Sequence, residues 1–324
     1  MIVNILHHDN CFDGAASAAV FKRFYRDKID SQADFTLRGM THEARQQFPE
    51  ALFSGDENAI VDFKYASTER LTWWFDHHDS AFLTPEDEQH FRNDRSGRKF
   101  YDPLFKSCTK FIATVGARQF RFECPVLEEL VHWADIIDGA QYPDAQTAVE
   151  VAQPAQKLAA VIEANKEPNF LHEIIGQLSE QPLQVVATQK SVMDRYAPLA
   201  RRHQESIRII GDNCKFDRGV TFFDLSQYDL EGYNKFIPYH LYPETNYSVS
   251  LLRTPKRMKI SVGWNPWSRS VRMHNLAKIC ERYGGGGHPV VAAISLNPDD
   301  IESARTAARQ IAEELKDQNP HPTA

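Results

Sequence analysis

The chain has 324 residues, 42% hydrophobic and 25% charged, and a formal net charge of −7. This is an ordinary globular composition at a length that suits two domains better than one. The acidic balance excludes a general polyanion binder, so a nucleic-acid ligand would need a local basic patch. No apolar run approaches the ~20 residues that span a bilayer. The opening MIVNILHHDN lacks the basic start and long apolar core of a signal peptide, and the expected location is the cytoplasm.

Residues 2–6 read as a strand. Residues 14–27 read as a helix whose small side chains, Ala15, Ala16, Ala18 and Ala19, pack against a sheet. Further strands are predicted at 59–62 and 72–76, with Trp73 and Trp74 on opposite faces. The alternation with helical stretches predicts βαβ units and a mostly parallel sheet. From Ser107 the pattern turns helical, over roughly 107–120, 125–139, 144–166, 169–178 and 182–206. Pro125, Pro143, Pro154, Pro168 and Pro182 suit helix starts, and Pro154 reads equally as a kink in a longer helix. Beyond 206, strands are predicted at 207–210, 220–223, 248–252 and 259–262. A helix near 274–283, a glycine run, a strand at 290–295 and an amphipathic helix near 299–316 follow, and the tail 319–324 reads as frayed. The fold class is therefore α/β: a parallel-sheet domain over 1–190, a helical linker over 191–206 and a smaller α/β domain over 207–324.

The five cysteines (Cys11, Cys108, Cys124, Cys214, Cys280) form no Cys-x-x-Cys pair, which argues against a structural zinc site or a disulfide framework. Arg201-Arg202 and the group Arg253, Lys256, Arg257, Lys259 are local basic candidates that solvated faces explain equally well. Trp264 and Trp267 read as packing residues, with base stacking as the other reading.

Three chemically dense clusters follow the first predicted strands. They are His7-His8-Asp9-Asn10-Cys11-Phe12-Asp13-Gly14, then Asp62, then Asp76-His77-His78. The carboxyl ends of strands are where open α/β sheets place their sites. Gathered carboxylates and imidazoles suit a hard or borderline divalent cation, and two ions rather than one. His7 and His8 are neighbours on a strand and point to opposite sides, so at most one faces the site. Asp13-Gly14 opens a helix, where an aspartate suits the N-terminus.

In order, HHDNCFDGAASAA, the Asp62 of VDF, DHH and WADIID resemble the DHH phosphoesterase superfamily. SLLR and YGGGGHPVVAA resemble the DHHA1 domain that accompanies it in the RecJ-like and nanoRNase/pAp-phosphatase branches. The resemblance covers essentially the whole chain, and it makes 1–190 the DHH domain and 207–324 the DHHA1 domain. It implies two Mn²⁺ ions held by His8, Asp13, Asp62, His77 and Asp135, with His7, Asp9, Cys11 and Asp138 as alternates. It implies catalytic support from Asp76 and from His78 facing the scissile phosphate. Arg253, Gly285, Gly286, Gly287 and His288 are implied to hold the nucleotide. Bare glycine N–H groups suit an anion, and a guanidinium fork grips phosphate.

One departure stands out. Most members carry Asp-x-Asp where this chain has Cys11-x-Asp13. A thiolate is softer than a carboxylate and tilts a site toward Zn²⁺, Co²⁺ or Fe²⁺. Alternatively Cys11 stays a thiol, and Asp9 or the second histidine fills its place. Spacing chooses neither between His7 and His8 nor between Asp135 and Asp138, three apart on one helix face. The implied activity is metal-dependent hydrolysis of phosphodiester or phosphomonoester bonds in short nucleotidyl substrates: dinucleotides, oligonucleotides or pAp. The implied enzyme is of phosphodiesterase or exonuclease type, with no long duplex and no membrane as partner; a homodimer is compatible with it. The alternatives are a cyclic-dinucleotide phosphodiesterase and a nucleotide-binding regulatory module weakened in catalysis, the latter motivated by Cys11.

Overall fold

The computed structural model describes residues 1–43, 46–230 and 232–316; the tail 319–324 lies outside them. The first elements are β1 (Ile2–His8), α1 (Phe12–Lys28), β2 (Asp34–Met40), β3 (Glu57–Val61), β4 (Trp73–Asp76), α2 (Pro85–Asn93), β5 (Lys99–Tyr101), α3 (Cys108–Phe120) and α4 (Glu128–Asp138). After them come α5 (Ala145–Glu150), α6 (Pro154–Ala164), α7 (Pro168–Leu178), α8 (Leu183–Ala187) and α9 (Lys190–Asn213). The chain divides into two units, residues 1–142 with 152–199 and residues 143–151 with 200–324, so the division falls inside α9 and α5 belongs with the second unit.

In the first unit the strand order is β2-β1-β3-β4-β5, all parallel. The order reverses between β1 and β3, the switch point at which open α/β sheets bind ligands beyond their carboxyl ends. Both faces are covered, which is why apolar residues on both faces dominate the middle of β1, the end of β3 and the start of β4. One face packs on α1, α3, α4, α6 and α7 through Val3, Ile5, Val61, Trp73 and Phe75. The other buries Leu6, Ile60, Phe63, Tyr65 and Trp74. Trp73 meets Phe21 and Phe24, whereas Trp74 meets Tyr65 and Phe91, the opposite-face arrangement that a two-residue period dictates. Each such side chain contributes about 1.5–3 kcal/mol by burial.

Helix α1 lies very close to the sheet because its contact face is small. Ala15, Ala16, Ala18 and Ala19 are fully buried. At Gly14 even a methyl group would collide, for a Cβ there would sit 2.2 Å from the His8 carbonyl oxygen.

The helical region is more broken than its periodicity suggests. Residues 144–166 form two helices, because Val151 takes a left-handed φ of 50° that stops α5, and Pro154 opens α6. Residues 182–206 likewise divide into α8 and α9. The strand expected at 207–210 is instead the last part of α9. Isoleucines there mimic a strand, but Arg208 pairs with Glu205 and Asp212 at three- and four-residue spacing, as a helix requires. β2 escaped the sequence reading because it is an edge strand whose first six residues are half-buried or exposed.

The second unit adds β6 (Lys215–Asp217), β7 (Val220–Leu225), α10 (Ile237–Leu241), β8 (Tyr247–Thr254), β9 (Arg257–Trp264), α11 (Leu276–Glu281), β10 (Gly286–His288), β11 (Val291–Leu296) and α12 (Ile301–Leu315). Its sheet runs β10-β11-β9-β8-β7-β6, with only β7–β8 parallel. The apolar stripe of α12 (Ala304, Ala308, Ile311, Leu315) packs into one core with Val249, Leu251 and Ile260. No helix among the described residues is long and apolar enough to cross a membrane.

Candidate metal centre

β1, β3 and β4 end side by side, and the chemistry of the three motifs gathers there. Asp62, just past β3, has a left-handed φ of 56° and donates its N–H to the Phe75 carbonyl at 3.0 Å. A non-glycine residue in that region is unusual, and such strain is commonly kept where function needs it. Its carboxylate is 1% exposed and faces histidines with both oxygens. Oδ2 lies 3.4 Å from His8 Nδ1, and Oδ1 lies 3.4 Å from His77 Nε2.

His77 is the hub of the site. Its Nδ1–H donates to the Phe105 carbonyl at 3.1 Å, which turns Nε2 toward three carboxylates: Asp62, Asp138 at 3.6 Å and Asp13 at 3.7 Å. A second ring nitrogen fixed by a carbonyl is the usual support of a metal-binding histidine. Asp13 is itself anchored, accepting from the Cys108 N–H at 2.6 Å and the Thr109 N–H at 3.1 Å at the N-terminus of α3. Its carboxylate thus caps a helix other than the one it begins. Ser107 caps α3 through the Lys110 N–H.

Asp76 organises the turn after β4. Its Oδ1 accepts from the backbone of His77 at 2.8 Å and of His78 at 3.3 Å, and from His78 Nδ1 at 2.7 Å. His78 therefore has only Nε2 left for other work.

Electrostatics and unmet hydrogen bonds single out the same donor atoms. Burial opposes charge on His77, yet Asp62 and Asp13 outweigh it and raise its pKa to about 10. Burial likewise pushes Asp62 up, but His77 and His8 more than offset this and hold it well below the usual carboxylate range. Asp13 is raised by burial and by Asp62, and Asp138 is pushed up to about 6 by burial and then Asp62. The Cys11 thiol is raised by burial and by Asp62 and Asp13. Buried atoms without a hydrogen-bond partner include His8 Nδ1, His77 Nε2 and both Asp62 oxygens. An orphaned buried polar atom costs about 1–3 kcal/mol, and here the orphans converge on one another. The donor atoms fall into three groups that could hold a cation: His8, Cys11 and Asp62; Asp62, His77 and His78; Asp13, His77 and Asp138. The set fits divalent cations.

Among the sequence alternatives, these groups contain His8, Cys11 and Asp138. His7 points to the other side of β1, fully buried near His172 with ring centroids 6.1 Å apart. Asp9 lies outside the groups, its carboxylate accepting from the Asn10 N–H. Asp135 also lies outside, accepting from Ser107 Oγ at 3.3 Å. The one-turn offset on α4 thus separates the two aspartates after all. Sequence reasoning missed His42. Its ring stacks on Phe63 at 4.4 Å and lies 4.6 Å from His8 and 6.0 Å from His78. It follows β2, the unrecognised edge strand, and no motif pointed to it.

The residues expected to hold a nucleotide do not all meet. Gly286, Gly287 and His288 form edge strand β10, Gly287 at a φ of 147° that only glycine tolerates well, with Gly285 just before it. His288 is level with Val291 and hence Gly263, whereas Arg253 is level with Met258. Those positions are five residues apart on β9, or about 17 Å. Arg253 instead lines a cleft of about 620 Å³ with Ser226, Asp299 and Arg305. At the turn between β10 and β11 the Val290 carbonyl accepts from the backbone N–H of Trp264, on whose ring Tyr247 packs, and Tyr247 also meets His274.

No protein-family model matches the chain, and no curated protein matches it in sequence. Solved structures do match. The pGpG-specific phosphodiesterase PggH from Vibrio cholerae superposes with a TM-score of 0.70 at 16% identity, covering 97% of this chain and 100% of its own. A DHH domain described as a member of the s1p family of ribosomal proteins gives 0.57 at 14% identity, over 97% and 87%. The fold is that of the DHH-domain proteins. Thermus thermophilus RecJ, solved with Mn²⁺, shares this DHH fold with a TM-score of 0.54 at 13% identity, over 98% of this chain and 52% of its own. The chain thus spans about half of that RecJ. At these identities the likeness is one of fold.

Proposed function

We propose that this protein is a metal-dependent phosphoesterase that hydrolyses short nucleotidyl substrates, with linear dinucleotides first among them. The observation that carries the reading is Asp62, a buried, unpartnered carboxylate whose two oxygens face two histidine-containing donor sets. Full-length similarity in fold to a pGpG-specific phosphodiesterase supports the substrate class. His8, Asp13, Asp62, His77 and Asp138 would hold divalent ions, which when bound supply Lewis acidity toward phosphoryl oxygens and lower the pKa of water.

The chain's own groups have separable tasks. Asp13 and Asp138 balance the positive charge, and the α3 amides keep Asp13 from swinging away. Asp76 is a positioning residue: it fixes the tautomer of His78 and presents Nε2 to the phosphoryl group. Burial opposes charge on His78, but the hydrogen bond it donates to Asp76 raises its pKa, which favours donation to an anionic phosphate oxygen. His42, its ring steadied by Phe63, is a second donor on that side. In the second unit the glycine strand and His288 would receive a nucleotide with Trp264 and His274 as neighbours, in place of Arg253.

The test is turnover of linear dinucleotides, pAp, oligoribonucleotides and cyclic dinucleotides with Mn²⁺, Co²⁺ or Zn²⁺. Mononucleotides released from linear dinucleotides are expected. Preferential opening of cyclic dinucleotides would move the assignment to a cyclic-dinucleotide phosphodiesterase. Tight nucleotide binding without turnover under any metal would refute the enzymatic reading in favour of a regulatory module.

A further inference from the structure

We infer that the site contains two unlike cation positions, and that Cys11 makes one of them selective for a softer ion. The inference rests on the metal-dependent reading above and goes beyond it in assigning a sulfur ligand and a mixed pair of metals.

The donors divide by chemistry as well as by place. On one side of Asp62 stand His8 and Cys11, each with a donor atom within 4.8 Å of the other's and of the carboxylate. This is a sulfur, nitrogen and oxygen set. On the other side stand His77, Asp13 and Asp138, two oxygens and a nitrogen. Asp62 serves the first through Oδ2 and the second through Oδ1. Thiolate donors select Zn²⁺, Co²⁺ or Fe²⁺, whereas carboxylate-rich sets suit Mn²⁺ or Mg²⁺.

The position of Cys11 supports its use as a ligand. It is the N-cap of α1, where Ser, Asp or Asn would normally supply a capping oxygen, and its side chain makes no capping hydrogen bond. Asn10, at a φ of 53°, sets the turn that carries the sulfur toward His8 and Asp62. Both of those partners keep buried atoms without a hydrogen bond. The other cysteine nearby, Cys108, is fully buried with its sulfur on the Phe75 carbonyl. On ligation the Cys11 thiol gives its proton to solvent and its sulfur lone pair to the ion.

Cobalt reports sulfur ligation directly. Metal-free protein is titrated with Co²⁺ while the near-ultraviolet thiolate-to-cobalt charge-transfer band is recorded, for the native chain, Cys11→Ser and Cys11→Asp. Both replacements are good N-caps, and thermal melts verify that they fold. The expected result is a band that grows with the first equivalent and is absent from both variants although Co²⁺ still binds. Competition should show the preference for Zn²⁺ over Mn²⁺ falling at least ~10-fold in Cys11→Asp, within the range that altering a metal's surroundings produces. Co²⁺ binding without the band, or a band that survives Cys11→Ser, would overturn the inference while leaving turnover, and with it the phosphoesterase reading, untouched. Failure of the native chain to bind Co²⁺, Zn²⁺ or Mn²⁺ would overturn both.

Discussion

Replacing Gly14 by alanine tests how helix α1 and the strand end that carries the candidate metal centre are joined. The new Cβ would sit 2.2 Å from the His8 carbonyl oxygen, 2.8 Å from its Cβ and 2.9 Å from its carbonyl carbon. Comfortable separations are about 3.5 Å, so helix and strand must part by roughly 1 Å. Neither can yield cheaply, because β1 is a central strand paired on both sides and Ala15, Ala16, Ala18 and Ala19 are fully buried. Overpacking of this kind costs about 1–3 kcal/mol, and the gain in helix propensity from glycine to alanine returns at most ~1 kcal/mol. A net loss of about 1–2 kcal/mol is expected in urea unfolding. The same displacement moves His8 away from Asp62, so Mn²⁺ or Co²⁺ affinity measured calorimetrically should fall ~10–100-fold, as when a metal's supporting groups are disturbed. A variant within 0.5 kcal/mol of the native chain and with unchanged metal affinity would refute this account of α1 and of its coupling to the site.

Other expectations concern individual side chains. Asp138→Asn should lower divalent-metal affinity by at least ~10-fold, and Asp135→Asn by much less, since Asp135 is engaged with Ser107; equal losses in isothermal titration would contradict the geometry of α4. His42→Ala should reduce kcat/KM about tenfold, the worth of one hydrogen bond to a charged group, while the melting temperature stays put because the residue is exposed; unchanged kinetics would remove His42 from the site. His7 gives a pH signature in the metal-free protein. Burial lowers its pKa to about 4, so the unfolded chain, with a pKa near 6.5, binds the extra proton first as pH falls. Its contribution is therefore full above the unfolded value and is lost as pH drops toward 4. Between pH 7 and pH 5 the native chain should lose about 2 kcal/mol relative to His7→Gln; parallel stability curves for the two proteins would exclude this.

Much of this organisation is legible in the sequence where apolar density is high. β1, β3 and β4 are buried on both faces and announce themselves as continuous apolar runs, and the donors that follow them can be found by position alone. β2 and β5 are half-exposed edges, and their short mixed composition carries no comparable signal. His42 was lost with β2. The isoleucines after 206 misled in the opposite direction, because β-branched residues on one face of α9 look locally like a strand. Choices that depend on a single turn, such as Asp135 against Asp138 or His7 against His8, need the direction of the side chain, which spacing does not encode. Arg253 and His288 show the same limit across a sheet, since register along β9 and β11 sets their separation.

The anchoring of Asp13 has a consequence for the order in which the protein can become competent. Its carboxylate is held by amides 95 and 96 residues further along the chain, and its partner Asp138 arrives later still. A growing polypeptide that has emerged only just past β4 already carries His8, Cys11, Asp62 and His77, but not the groups that hold Asp13 in place or the aspartate that faces it. On the proposed metal-binding reading, the carboxylate-rich side would be completed late in synthesis, once the chain through α4 has emerged and Asp13 and Asp138 are both in place.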